Sequence, residues 1–289
     1  MEQKKYEPTK MCLQKLKGAF DLSALPEDLK ISTMTIACRF DTGFYTENIG
    51  KYVDVTPTKI VTAKYGSTPD TIRSVIKIKE KKRKNKTIKK VFYNQMTVKV
   101  RPSITKNPIN IKIFKNGALQ LTGCKSIKDC IQSIDILCNE LHTIKAIVDP
   151  VTMDKVILKP FASNLDNLSV DKIQDFKICM INSDFDIGFK VDRIALRDVL
   201  IEKNVEVKCD LDHHACVDIK YYYQGRKRVS IFVFEKGSIV ITGANSCNQI
   251  LHAYNFITQT MYNNYHKIKS IDHIINRGDI RKFLVKEDV

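Results

Sequence analysis

Tryptophan is absent from this 289-residue chain, glycine and proline are sparse at 11 and 8, and acids are outnumbered by bases, 32 to 48. So little glycine and proline excludes a collagen-like or low-complexity polymer. No stretch of 18 apolar residues occurs, so no membrane-spanning helix is expected. The opening MEQKKYEPTKMCLQKLKG is too polar for a secretory signal and makes no convincing amphipathic anchor. The chain has no GxxxxGK[ST] loop, no HExxH and no GxSxG, and its acids show no paired spacing, so no enzymatic activity is expected. Nine cysteines, an odd number, form no disulfide framework, and a reducing compartment is expected. Cys209, His213, His214 and Cys216 carry metal-ligand atoms but lack the paired spacing that defines zinc sites. No metal or cofactor is expected.

What is present begins with enough apolar residues, 43%, to fill a proper core. The net charge of +16 fits a polyanionic partner. About half of that excess lies in residues 77–90, KIKEKKRKNKTIKK, with nine basic residues and one Glu. A solvated loop or a nuclear-import signal accounts for such a run as well as a nucleic-acid contact does.

One pattern occurs twice. Residues 111–123 read IKIFKNGALQLTG and residues 231–243 read IFVFEKGSIVITG, with Ile, Phe, Gly, Thr and Gly recurring at a spacing of 120. Upstream, Phe40–Phe44 (FDTGF) is echoed by Phe185–Phe189 (FDIGF) at a spacing of 145. The order of the echoes is preserved, so the chain reads as a duplicated unit with pseudo-twofold symmetry, suited to a pseudo-twofold partner such as duplex DNA.

Each copy predicts the same elements. Gly117 and Gly237 divide β-rich runs, 109–114 from 119–121 and 229–234 from 239–241, which is a hairpin signal. Residues 92–100 and 216–223 read as the preceding strands, and 31–40 and 178–185 as the first strands. Short helices are expected over 46–53 and 193–202. After each Thr-Gly a serine caps a longer helix, Ser126 with Asp129 and Ser246 with Gln249. Its apolar stripe is Ile127, Ile131, Ile134, Leu137 and Leu141 in one copy, and Ile250, Tyr254, Ile257 and Met261 in the other. The fold class is α+β. The first copy is longer by 25 residues between its two echoed Phe positions, and the basic run lies in that excess as an inserted loop over about 67–90. The expected organisation is an extension over 1–28, repeat one over 29–148, a connection over 149–172, repeat two over 173–270 and an extension over 271–289.

A Phe-x-x-Gly-x-x-x-x-Thr-Gly strand pair leading into a helix, present twice, resembles the TATA-box-binding protein core. Cys38-Arg39-Phe40-Asp41 is similar to that family's Cys-Arg-Leu-Asp segment, and Val91–Pro102 to its strand ending in Arg-Glu-Pro. The resemblance covers about residues 29–148 and 173–268, with the look of a distant member such as those of large DNA viruses or protists. It implies two repeats in a saddle, a curved antiparallel sheet facing the DNA minor groove and helices on the convex face. Such proteins insert Phe wedges and kink the duplex, as the best-studied minor-groove binders do.

Carried over by position, Phe114 and Phe234 are wedges. The second wedge of repeat one falls on Phe92, or on Tyr93 one residue along. That of repeat two falls on His213 or His214, a departure from the family. Thr122 and Thr242 meet base edges, Gln120 and Val240 stand where the family has valines, and Lys99 and Lys220 hold phosphates. Period-2 alternation puts Gln120 with Thr122 and Val240 with Thr242 on the groove side, and Leu119 and Leu121 toward the helices. The family's two central asparagines fall near Leu29 and Ile178, with Asn182 nearby but out of register. The resemblance implies a monomer on double-stranded, A·T-rich promoter DNA, with transcription factor IIA- and IIB-like proteins and RNA polymerase as partners. The expected compartment is a nucleus, or a cytoplasmic viral factory or virion. The alternative is an architectural DNA-binding protein with little sequence specificity, which the missing asparagines and the two histidines favour.

Overall fold

The computed structural model describes residues 24–66, 71–77, 94–149, 152–153 and 156–270. Phe92, Tyr93, the basic run beyond Lys77 and the segments 1–23 and 271–289 lie outside the described residues. The chain divides into two compact units, residues 1–183 with 242–249, and residues 184–241 with 250–289.

In the first unit β1 (Lys30–Arg39), β2 (Ile60–Lys64), β3 (Ile72–Ser74), β4 (Gln95–Val100), β5 (Ile109–Phe114) and β6 (Ala118–Cys124) lie in the order β1-β6-β5-β4-β2-β3. Every pair is antiparallel. In β4, β5 and β6 burial alternates: Met96, Val98, Ile111, Ile113, Leu119 and Leu121 are all but fully buried, while the residues between them are half-exposed. Each such aliphatic side chain contributes about 1.5–3 kcal/mol through removal from water. The buried face is covered by α2 (Ile127–Leu141), which follows α1 (Thr46–Tyr52) in the chain and packs on β4 and β6. Ile131, Ile134, Leu137 and Leu141 of its stripe are buried. Ser126 Oγ accepts the Asp129 N–H at 3.1 Å, the expected cap.

The second unit repeats the plan with β10 (Glu206–Lys208), β11 (Cys216–Tyr223), β12 (Lys227–Phe234) and β13 (Ser238–Ala244), in the order β10-β11-β12-β13 with β9 (Gln174–Asp186) following β13. Its core face carries Val217, Ile219, Val229, Ile231, Val233, Ile239 and Ile241, none of them exposed. Here α3 (Arg193–Glu202) packs on β10 and β11. The longer α4 (Cys247–Asn263) lays Tyr254 against Phe185 and stacks Phe256 on Tyr221, with centroids 4.7 and 4.9 Å apart. A final turn, α5 (Tyr265–Ile268), closes the described chain. Asp192 caps α3 by accepting from the N–H groups of Ile194 and Ala195. Ser246 caps α4 more loosely at 3.4 Å, and the Gln249 carbonyl oxygen takes the Asn245 N–H rather than that of Ser246.

The two sequence echoes are two sides of one contact. Phe40 N–H donates to Gly117 O and Phe44 N–H to Lys115 O; in the other unit Ile187 N–H donates to Gly237 O and Val191 N–H to Glu235 O. Gly117 is required twice over: its φ is +87°, and a Cβ there would stand 2.3 Å from the Phe40 carbonyl oxygen.

The antiparallel α+β class matches the sequence expectation. Four features go beyond it. β3 lies within the insert expected as a loop and pairs with β2, which no expected strand covered. β10 adds an edge to the second unit. A separate hairpin joins β7 (Lys145–Val148), at the end of the expected first repeat, to β8 (Val156–Lys159) in the expected connection. Finally, β9 starts four residues earlier than the expected strand.

Candidate nucleic-acid interface

In each unit the strand face turned away from the helices is half-exposed, and its residues stand in rows set by the pairing register. In the first unit one row is Lys99, Asn110, Thr122 and Thr35, and the next is Thr97, Lys112, Gln120 and Ala37. Gln95 faces Phe114 in the row beyond. Gln120 and Thr122 therefore share this face, and Leu119 and Leu121 point to the helix, as alternation demands. Asn110 Nδ2 donates to Thr122 Oγ1 at 3.3 Å. Lys99 and Lys112 form no ion pair among the described residues. Phe114 lines a shallow cavity of 350 Å³ with Arg39, Ala118, Gln120, Asp175 and Lys177. Its ring lies outside the core formed by Ile111 and Ile113.

In the second unit Phe234 faces Cys216, Phe232 faces Asp218, and Ser230 faces Lys220. Phe234 lines an open cavity of 510 Å³ with Ala215, Glu235, Lys236 and Ser238. Val240 and Thr242, the latter grouped with the first unit, share one face of β13, and both are half-exposed. The Thr242 hydroxyl donates to Asn182 Oδ1 at 2.5 Å, so Asn182, set aside by sequence register, stands on the open face of β9.

Three expected site residues, Lys220, His213 and His214, are placed otherwise than their roles require. Lys220 is not a free cation. Its Nζ lies 2.6 and 2.8 Å from the two Asp218 oxygens and donates to Ser230 Oγ at 3.1 Å. The cause is local: Asp218 and Lys220 are two apart on one strand, hence on one face. His213 and His214 occupy the turn before β11 rather than a strand. Asp210 O accepts the His214 N–H, Asp210 Oδ1 accepts the N–H groups of Asp212 and His213, and Asp210 Oδ2 lies 2.9 Å from His213 Nδ1. The bonds from His213, backbone first, hold the Asp210 carboxyl below its ordinary range. Among the described residues no three His, Cys, Asp or Glu side chains converge into a metal-holding group. Phe92 and Tyr93 lie outside the described residues.

Sequence reasoning passed over Asn110, Lys112 and Phe232. All three were reachable by counting in twos from Phe114, Thr122 and Phe234.

No family model matches the sequence. A search of solved structures finds a Methanococcus jannaschii TBP with a TM-score of 0.49 and 14% identity, covering 82% of this chain and 99% of that one. A protein of Acanthamoeba polyphaga mimivirus described as "TATA-box-binding protein-like" is 38% identical over 270 residues, covering 84% of this chain and 67% of that protein. With that identity across both repeats, the chain belongs to the TATA-box-binding protein-like family.

Proposed function

We propose that this chain is a non-enzymatic transcription factor that binds the minor groove of A·T-rich promoter DNA, bends it by inserting Phe114 and Phe234, and nucleates initiation. The observation that carries the reading is the matched setting of those two rings. Each ends the middle strand of its unit on the open face, immediately after a buried aliphatic (Ile113 or Val233) and three residues before a left-handed glycine. A large ring kept out of the core is available for a base step, and the area gained on bent DNA offsets unstacking costs of a few kcal/mol. Thr122, Thr242 and the amides of Asn110 and Asn182 lie on the same faces, where donors meet the adenine N3 and thymine O2 acceptors of the minor groove. Partners resembling transcription factors IIA and IIB and RNA polymerase follow from the family, as does a monomer on its site, working in a nucleus or a viral factory.

The competing reading, an architectural binder with little sequence preference, is favoured by one observation: His213 is tied to Asp210 in a turn and makes a poor wedge. Fluorescence transfer across end-labelled duplexes separates the two. The promoter reading expects bending of a TATA duplex and not of a G·C-rich one, abolished by Phe114→Ala and by Phe234→Ala. Equal binding to both duplexes, without bending and unchanged in the variants, overturns it.

A further inference from the structure

The middle strands of the two units end alike but differ two residues earlier. In β5 the residue two before Phe114 is Lys112, and in β12 the residue two before Phe234 is Phe232. Both positions are half-exposed on the open face, between fully buried aliphatics. The ring of Phe232 is thus spent neither on the core nor, among the described residues, on an aromatic partner. Its row neighbour is Asp218, and Lys220 Nζ lies 5.7 Å from its centroid. Strand rise sets Phe232 and Phe234 about 7 Å apart, close to two base-pair rises of B-DNA.

The second unit also lacks an aromatic where the resemblance asked for its other wedge. That position falls on His213 or His214, three or two residues before the strand residue facing Phe234, and His213 is held by Asp210. We infer that Phe232 is the second base-contacting ring of repeat two, a specificity-determining residue that works beside Phe234. Its ligand is a deformable base step, and pyrimidine–purine steps are the easiest to open. Lys112, at the same place in repeat one, finds a phosphate instead and carries no step preference. The second repeat accordingly reads DNA deformability with two adjacent rings and a neutralised lysine, while the first combines one described ring with Lys99 and Lys112, which have no ion-pair partner among the described residues. This inference rests on the minor-groove reading above.

The test uses the full chain and duplexes carrying 2-aminopurine at a TA step, whose emission rises on unstacking. Phe232→Leu and Phe232→Lys are compared with the parent and with Phe234→Ala, folding being checked by circular dichroism. Phe232→Lys is expected to weaken binding on the order of 10-fold at moderate salt and to reduce the emission rise. It should also steepen the log–log salt slope by about 0.9, as one added phosphate contact does. Phe232→Leu is expected to lose affinity several-fold with the slope unchanged. If Phe234→Ala abolishes bending while both Phe232 variants bind and unstack like the parent, Phe232 has no such role and the minor-groove reading stands. If the parent neither bends nor unstacks any duplex, the minor-groove reading itself fails.

Discussion

Replacing Asp218 by Asn and Lys220 by Met together is expected to leave the salt dependence of DNA binding unchanged, whereas Lys99→Met and Lys112→Met each reduce it. Lys220 Nζ lies within 2.8 Å of both Asp218 oxygens, and the two side chains are only 15% and 27% exposed. At an effective dielectric of about 20 their gross attraction is on the order of 5 kcal/mol, against about 1 kcal/mol for an exposed cation 4 Å from a phosphate in water. The bound lysine therefore stays with its carboxylate, and the pair presents no net charge to the duplex. Lys99 and Lys112 make no such pair among the described residues, and each releases a counterion on binding. Loss of either lowers the slope of log K against log salt by about 0.9, roughly a threefold smaller fall in affinity between 50 and 200 mM. Fluorescence anisotropy across that range, on one duplex, measures all three variants. A double variant whose slope falls as far as that of Lys99→Met would show that Lys220 leaves Asp218 for a phosphate, and the reasoning fails.

Gly117→Ala is expected to destabilise the fold by at least about 2 kcal/mol in urea titration, since its φ is +87° and the added Cβ meets the Phe40 carbonyl. Ser126→Ala should cost about 1 kcal/mol in the same assay through loss of the α2 cap. Burial pushes the Cys38 thiol up to about 12, with a smaller contribution from Cys124. The folded state thus keeps its proton after the unfolded chain has lost it, so this stability is whole below about pH 9 and is lost as pH rises toward 12. Between pH 9 and 11 the urea midpoint of the parent should fall more steeply than that of Cys38→Ala. At pH 8 a thiol reagent should spare Cys38, Cys124, Cys130 and Cys138 and modify the exposed Cys179, a phase that Cys179→Ser removes.

The duplicated architecture was legible because its signals are local. Glycine after the middle strand, a serine cap and a 3.6-residue stripe state a hairpin followed by a helix, and both units obey. β11 falls on the run that its β-branched and aromatic residues mark, and α3 on the short helix expected after the first strand. The β7–β8 hairpin was hidden because KAIV and VILK are short apolar runs without alternation, on either side of residues that carry no tight-turn pair. Phe232 was hidden by its own neighbours: Val229–Phe234 is nearly all apolar, so composition does not tell the two faces apart, and only counting back from Phe234 does. The bonding of Lys220 needed the register as well as the strand, since Ser230 reaches it from β12. The tie between His213 and Asp210 is an Asx-type turn, and Asp210-Leu-Asp-His before a strand is its signature in retrospect.

The paired loops that join the two echoes have a kinetic consequence. The contact from Phe40 to Gly117 closes 77 residues of chain, and that from Ile187 to Gly237 closes 50. Closure entropy grows only logarithmically with length, so the longer loop costs about 0.4 kcal/mol more. Extra chain in the first repeat is thus nearly free at equilibrium. It is not free in time, because contacts distant in sequence form late. The second repeat should assemble first and the first repeat follow, so that two units of one ancestry and one plan reach their native pairing at different moments.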